Sequence, residues 1–116
     1  MPTQGPSDER ITLLQGTLDL LILKTLALEP LHGYGIAQRI LASSREILQV
    51  QQGSLYPALH RLERKGLVVS EWKDSENGRM AKFYSLTRTG RKQLEAERQN
   101  WERLAGAVAM ILRTAE

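Results

Sequence analysis

Apolar and polar positions follow two rhythms along this chain, and the change from one to the other locates most of its elements. The run ITLLQGTLDLLILKTLAL, residues 11–28, is helical in composition. Glu29-Pro30 closes it, because the residue ahead of a proline is pushed out of the helical region. Its Leu18, Leu20, Leu21, Ile22, Leu23 and Leu26 cover more than one side, so the predicted helix must be buried on two sides. One side is expected to meet another chain; the alternative is full enclosure in a single core. HGYGI at 32–36 opens a shorter second helix, with Ile36, Ala37, Ile40 and Leu41 at inward spacing. The polar residues 42–52 are expected to form a turn, anchored by Val50.

A third helix is read from GSLYPALHRLERKGL, 53–67. At about 100° per residue, Leu55, Ala58, Leu59 and Leu62 fall on one side, and Pro57, His60, Arg61 and Arg64 on the other. Gly53 and Ser54 stand where an N-cap belongs, Pro57 is tolerable near the start, and Gly66 marks the end. The rhythm then shortens to two. Residues 67–72 alternate as a strand, DSENGRM turns with an Asn77-Gly78 signal, and 82–86 return. Thr87 is a predicted N-cap for a long last helix, whose Leu94, Trp101, Leu104, Ala105, Val108, Ile111 and Leu112 recur at helical spacing.

The pattern therefore predicts a mainly α fold with a small β-hairpin, a winged helix-turn-helix followed by a C-terminal dimerisation helix. The expected organisation is a flexible tail over 1–10, the winged helix-turn-helix over 11–86, and the dimerisation helix over 87–116. Little remains in the chain to cover the last helix except the Leu-rich first one. The expected partner is thus a second copy, packed through Leu14, Leu18 and Leu21 of the first helix and Leu94, Trp101, Leu104, Val108 and Ile111 of the last.

Charge sharpens this picture. The net charge is only +3, but residues 51–92 hold nine Lys or Arg against four Asp or Glu, while the flanking segments are each slightly acidic. A basic excess gathered around one helix and one hairpin points to a polyanion, and the order helix-then-hairpin points to double-stranded DNA. A winged helix that binds protein instead is the alternative. The bland reading of the third helix, an ordinary surface helix with a solvated basic face, loses ground to the same charge count.

Composition excludes several other classes. At 116 residues and 41% hydrophobic, the chain supports one folded domain. It has no cysteine, which removes disulfides and thiolate metal sites and suits a cytoplasmic protein. MPTQGPSDER has neither the basic nor the apolar region of a signal peptide. The longest apolar stretch, 18–28, is broken by Asp19 and Lys24 and is too short for a bilayer. His32 and His60 are the only histidines, and neither sits at a recognisable catalytic spacing. Glu63 follows His60 by three residues, an isolated pair of no diagnostic value for a metal. No enzyme, metal or cofactor is expected.

The motifs GTLDLLIL from Gly16, HGYGI from His32, GSLYPALHRLERKGLV from Gly53 and GRMAKFYSLTRTG from Gly78, in this order, resemble the PadR family of bacterial transcriptional regulators. The resemblance runs from about residue 13 to the C-terminus and fits the short branch with one helix after the wing. It implies a homodimeric repressor on a pseudo-palindromic operator. By position, it implies a phosphate contact for Tyr34 and places Ser54, Tyr56, Pro57, His60 and Arg61 at or in the major groove, with Arg64 nearby. Gly78, Arg79 and Lys82 would belong to the wing. Within that set, His60 and Arg61 are the expected readers of base edges, while Tyr34, Ser54 and the wing set position. Family wings often carry consecutive basic residues where this chain has Arg79-Met80-Ala81-Lys82, so a smaller wing contribution is expected. In short members that sense drugs, a tryptophan of the last helix stacks on planar aromatic ligands. Trp101 matches that position, and is otherwise a large interface anchor.

Overall fold

The computed structural model describes residues 11, 12 and 15–115, with side chains from Gly16 onward. In chain order the elements are β1 (Ile11–Thr12), α1 (Gln15–Leu28), β2 (Leu31–His32), α2 (Gly33–Ser43), β3 (Leu48–Gln49), α3 (Gln52–Arg64), β4 (Val68–Asp74), β5 (Met80–Leu86) and α4 (Arg88–Leu112). The core lies where the apolar stripes of α1, α2 and α3 converge. Leu18, Ile22, Leu23 and Leu26 meet Ile36, Ile40, Leu55, Ala58, Leu59 and Leu62, closed on one side by Val68 and Tyr84 of the sheet. Each large side chain buried there contributes on the order of 1.5–3 kcal/mol.

The Leu-rich α1 packs against α2, α3, β5 and α4 of its own chain, which buries Leu18, Ile22, Leu23 and Leu26, while Leu20 and Leu21 stay half-buried and Leu28 exposed. This corrects part of the expected interface. Leu18 is 2% exposed and has no surface left for another subunit. Leu21 and Leu94 are half-buried and pack against the same core. Leu14 lies outside the described residues. The start of the first helix also differs. It begins at Gln15, because Ile11 and Thr12 pair in parallel with Leu48 and Gln49 and their backbone groups are satisfied by that strand.

The ends of α3 show how local sequence meets tertiary packing. The helix starts earlier than the glycine and serine suggested. Gln51 is the N-cap, its carbonyl accepting from the Ser54 and Leu55 amides, with no side-chain cap. The C-terminal end matches expectation. Gly66 stands at φ 75°, its N–H bonds the Glu63 carbonyl and the Leu67 N–H bonds the Leu62 carbonyl, a Schellman closure that carries Leu67 into the core.

Thr87 caps α4 as read from the sequence, its hydroxyl oxygen accepting from the Gly90 amide at 2.9 Å. Gly90 is also a packing requirement. A Cβ there would stand 2.1 Å from the Leu67 carbonyl oxygen, so only glycine lets the first turn of α4 press against the α3–β4 junction.

The hairpin is longer and its tip shorter than the alternation indicated. The ladder runs from Val68–Leu86 out to Asp74–Met80, leaving residues 75–79 as the turn. Ser75 holds it, its amide and hydroxyl both donating to the Arg79 carbonyl at 2.8 Å. A third strand was not legible. Leu31 and His32 pair antiparallel with Tyr84 and Phe83, giving the sheet order β2-β5-β4.

Candidate nucleic-acid interface

The outer face of α3 carries Tyr56, Pro57, His60 and Arg64, all exposed. Beside it stands the hairpin, and the space between them is a groove of about 540 Å³. Tyr34, Tyr56, His60, Arg79 and Lys82 line this groove together, five of the residues singled out from the sequence. Ser54, Pro57 and Arg64 lie on the same helix outside the groove lining, and Gly78 lies in the turn at φ 75°. Among the described residues, no aspartate or glutamate lines the groove.

Several local interactions position these side chains. His32 caps α2, its Nδ1 accepting from the Gly35 amide at 3.0 Å, and its ring meets Phe83 edge-on at 5.1 Å. It is a structural residue at the start of α2. The Tyr56 ring lies across the start of α2. A Cβ at Gly33 would fall 2.6 Å from the Tyr56 hydroxyl, so the missing side chain makes room for the tyrosine. Tyr34 is 61% exposed on α2, and its hydroxyl accepts from Gln38 Nε2. Lys82 Nζ is 3.9 Å from Glu63, whose other carboxylate oxygen accepts from the Ser70 hydroxyl at 2.7 Å. The lysine is therefore partly neutralised in the free protein, whereas Arg79 is exposed at the tip.

The turn leading into α3 holds two non-glycine residues in the left-handed region, Arg45 at φ 55° and Glu46 at φ 67°. The surrounding bonds enforce them: the Glu46 amide reaches the Leu41 carbonyl at 2.7 Å, and the Leu48 amide reaches the Ser44 hydroxyl at 2.9 Å. This turn sets the angle between α2 and α3.

Arg61 departs from expectation. It does not stand on the outer face but turns beneath the helix, where its Nη2 bonds Asp19 of α1 at 2.8 Å. The two side chains are only 24% and 13% exposed, and the Arg61 Nε is buried without a partner. Helical spacing placed Arg61 on the outer side with His60 and Arg64, but the half-buried carboxylate of Asp19 draws it the other way. Burial pushes the Asp19 carboxyl above the usual range; Arg61 pulls it back and Glu97 of α4 adds to the rise. The missed signal was Asp19 itself. A carboxylate in the middle of GTLDLLIL requires a buried partner.

Trp72 and Met80 also escaped the sequence reading, although both line the groove. Period-two alternation from the buried Val68 would have placed Trp72 on the side of the sheet that faces α3.

Beyond the hairpin, α4 packs on α1 through its first half and then continues with an uncovered apolar stripe. Trp101, Leu104, Val108 and Ile111 are 46%, 61%, 45% and 68% exposed. Between α1 and α4 lies an open groove of about 1250 Å³, lined by Asp19, Leu20, Glu97, Trp101, Glu102 and Met110 among others. Among the described residues, no cluster of His, Asp or Glu could hold a metal ion. No described helix is long and apolar enough to cross a membrane.

Three helices closed by a wing, with the third helix presented beside it, define a winged helix-turn-helix DNA-binding protein. The comparisons place it further. Residues 22–96 match the transcriptional regulator PadR-like family, and the chain belongs to that family. It is 40% identical over 87 residues to the transcriptional regulator Rv3488 of Mycobacterium tuberculosis, covering 75% of this chain and 78% of the relative. Among solved structures, it is similar to a PadR-like transcription factor from Bacteroides fragilis at 35% identity and a TM-score of 0.67, covering 84% and 91% of the two chains. A PadR-like transcriptional regulator from Bacillus cereus shares 30% identity with a TM-score of 0.74, covering 87% and 96%. These relatives are transcriptional regulators rather than enzymes.

Proposed function

We propose that this PadR-family regulator acts as a homodimeric cytoplasmic repressor on a pseudo-palindromic operator. The observation that carries the reading is the carboxylate-free groove joining the exposed face of α3 to the wing. Tyr34, Ser54, Gly78, Arg79 and Lys82 serve phosphates, Tyr56 and Pro57 fit the groove wall, and His60 reads base edges, with Arg64 on the backbone nearby. Arg61 is withdrawn from the base-reading set because Asp19 holds it. The dimer is supported by the apolar stripe Trp101, Leu104, Val108 and Ile111, too large a run to stay in water. Two copies of α3 would then enter successive major grooves about 34 Å apart.

Selecting bound fragments from the host genome, followed by gel shifts and sedimentation of the complex, tests the proposal. A two-fold symmetric site bound by two chains supports it. Failure to retain any fragment at low salt returns the protein-binding winged helix to favour.

A second reading concerns release. The groove beside Trp101 combines an indole face with a mixed lining of Asp19, Glu97, Glu102, Arg103 and Arg113, suited to a planar aromatic effector against the indole. Fluorescence titration of a Trp72→Phe chain, in which only Trp101 reports, checks this. Absence of quenching by any cationic or phenolic aromatic leaves Trp101 as an interface anchor.

A further inference from the structure

The groove between α3 and the wing has a second wall that charge does not explain. On β4, Val68 is buried and Ser70 bonds Glu63 of α3, so this face of the hairpin looks toward the helix. Two residues further out on the same face comes Trp72, paired across the ladder with Lys82, and Met80 is its diagonal neighbour. Here the hairpin has run past the core. Trp72 is 64% exposed and Met80 59% exposed, yet both line the groove opposite Tyr56 and His60. Exposed large apolar groups on a concave wall are costly to keep in water and mark a contact surface.

We propose that Trp72 and Met80 form an apolar shelf for the deoxyribose edge of one DNA strand running between α3 and the wing. The proposal rests on the DNA-binding function of this fold and assigns two contact residues to it. Charge complementarity selects the occupant. The described lining holds Arg79 and Lys82 and no carboxylate, so a polyanion fits, whereas a neutral or basic protein surface would leave these cations unmatched. A DNA strand alternates anionic phosphates with apolar sugar carbons. Arg79 at the tip and Lys82 beside Trp72 flank the shelf as phosphates flank a sugar. Engagement also draws Lys82 from Glu63, 3.9 Å away, toward a phosphate.

The probe is sheared genomic duplex DNA at low salt, added to the full chain. Acrylamide quenching of intrinsic fluorescence should fall on binding, and the protected component should be missing from Trp72→Phe. Trp72→Ala should bind roughly tenfold more weakly, the loss of a buried aromatic contact, with Trp72→Phe recovering most of it. Because no charge is removed, the dependence of affinity on salt should keep its slope in Trp72→Ala. Arg79→Ala should lower that slope by about 0.9. Trp72 is exposed, so a circular-dichroism melt of Trp72→Ala should match the native chain. A native chain that binds DNA while Trp72 stays as accessible as in the free protein overturns the shelf alone, as does unchanged affinity in Trp72→Ala. A native chain that retards no DNA overturns the DNA-binding reading with it.

Discussion

Two grooves flank this protein, and they are built from similar side chains toward different ends. The groove between α3 and the wing holds Trp72, Met80 and Arg79, and the groove between α1 and α4 holds Trp101, Met110 and Arg103. What separates them is the carboxylate content. The first has none, while Asp19, Glu97 and Glu102 line the second. An aromatic–thioether surface is adaptable by itself, and the charges around it choose between a polyanion and a cationic or apolar guest. Among the described residues the two grooves share no lining residue, but one ion pair runs between their walls. His60 lines one, and the neighbouring Arg61 reaches under the helix to Asp19, which lines the other.

The largest expected disruption separates the grooves by position. Gly90→Ala drives a Cβ into the Leu67 carbonyl and should cost about 3 kcal/mol, displacing α4 and opening the acidic groove first. Urea unfolding measures the cost, and Trp101 emission should shift before that of Trp72.

Next comes the link between them. Asp19→Ala leaves the Arg61 guanidinium half-buried and unpaired, with an expected loss of about 2 kcal/mol. Asp19→Ala combined with Arg61→Met should recover most of that loss, since a buried pair is replaced by apolar volume. Additive losses in the double variant would show that the pair is not coupled.

The two arginines one turn apart on α3 sharpen the contrast further. Arg64→Ala should leave the melting temperature unchanged and weaken binding to all DNA sequences, lowering the salt slope by about 0.9. Arg61→Ala should do the reverse, losing stability with a nearly unchanged slope. Altered sequence preference in Arg64→Ala, at constant slope, would make Arg64 a base reader.

The smallest effect is a pH dependence. Asp19 has a folded pKa raised by burial, so the folded chain binds its proton more readily than the unfolded chain. Its contribution is fully present below the unfolded pKa and is lost as pH rises through the folded one. Melts at pH between the unfolded and folded values should show this contribution falling with rising pH, and Asp19→Asn should remove it.

Much of the fold is written in short-range pattern. The inward set Leu55, Ala58, Leu59 and Leu62, the glycine closing α3, the threonine capping α4 and the hairpin around Asn77-Gly78 all follow from helical or strand period and local hydrogen bonding. The strands Ile11–Thr12 and Leu31–His32 were illegible, because two residues carry no period and their existence depends on partners over thirty and fifty positions away. The candidate interface divides along the same line. Tyr34, Tyr56, His60, Arg79 and Lys82 were named from pattern and resemblance, and the fold gathers them in one groove. Arg61 was misplaced because helical spacing fixes an angle on the helix, whereas its direction was settled by Asp19, forty-two residues earlier.

The sequence by itself determined the element order, the inner face of α3, the basic segment around α3 and the hairpin, and the apolar stripe of the last helix. These depend on periodicity and composition, which every residue carries locally. Only the tertiary structure decided that Leu18 and Leu23 of α1 are buried within their own chain, that Arg61 serves α1, and that the hairpin extends past the core to bring Trp72 and Met80 into the groove. Each of those depends on which surfaces meet, and burial, with its demand that charges be paired and apolar groups covered, is a property of the folded whole.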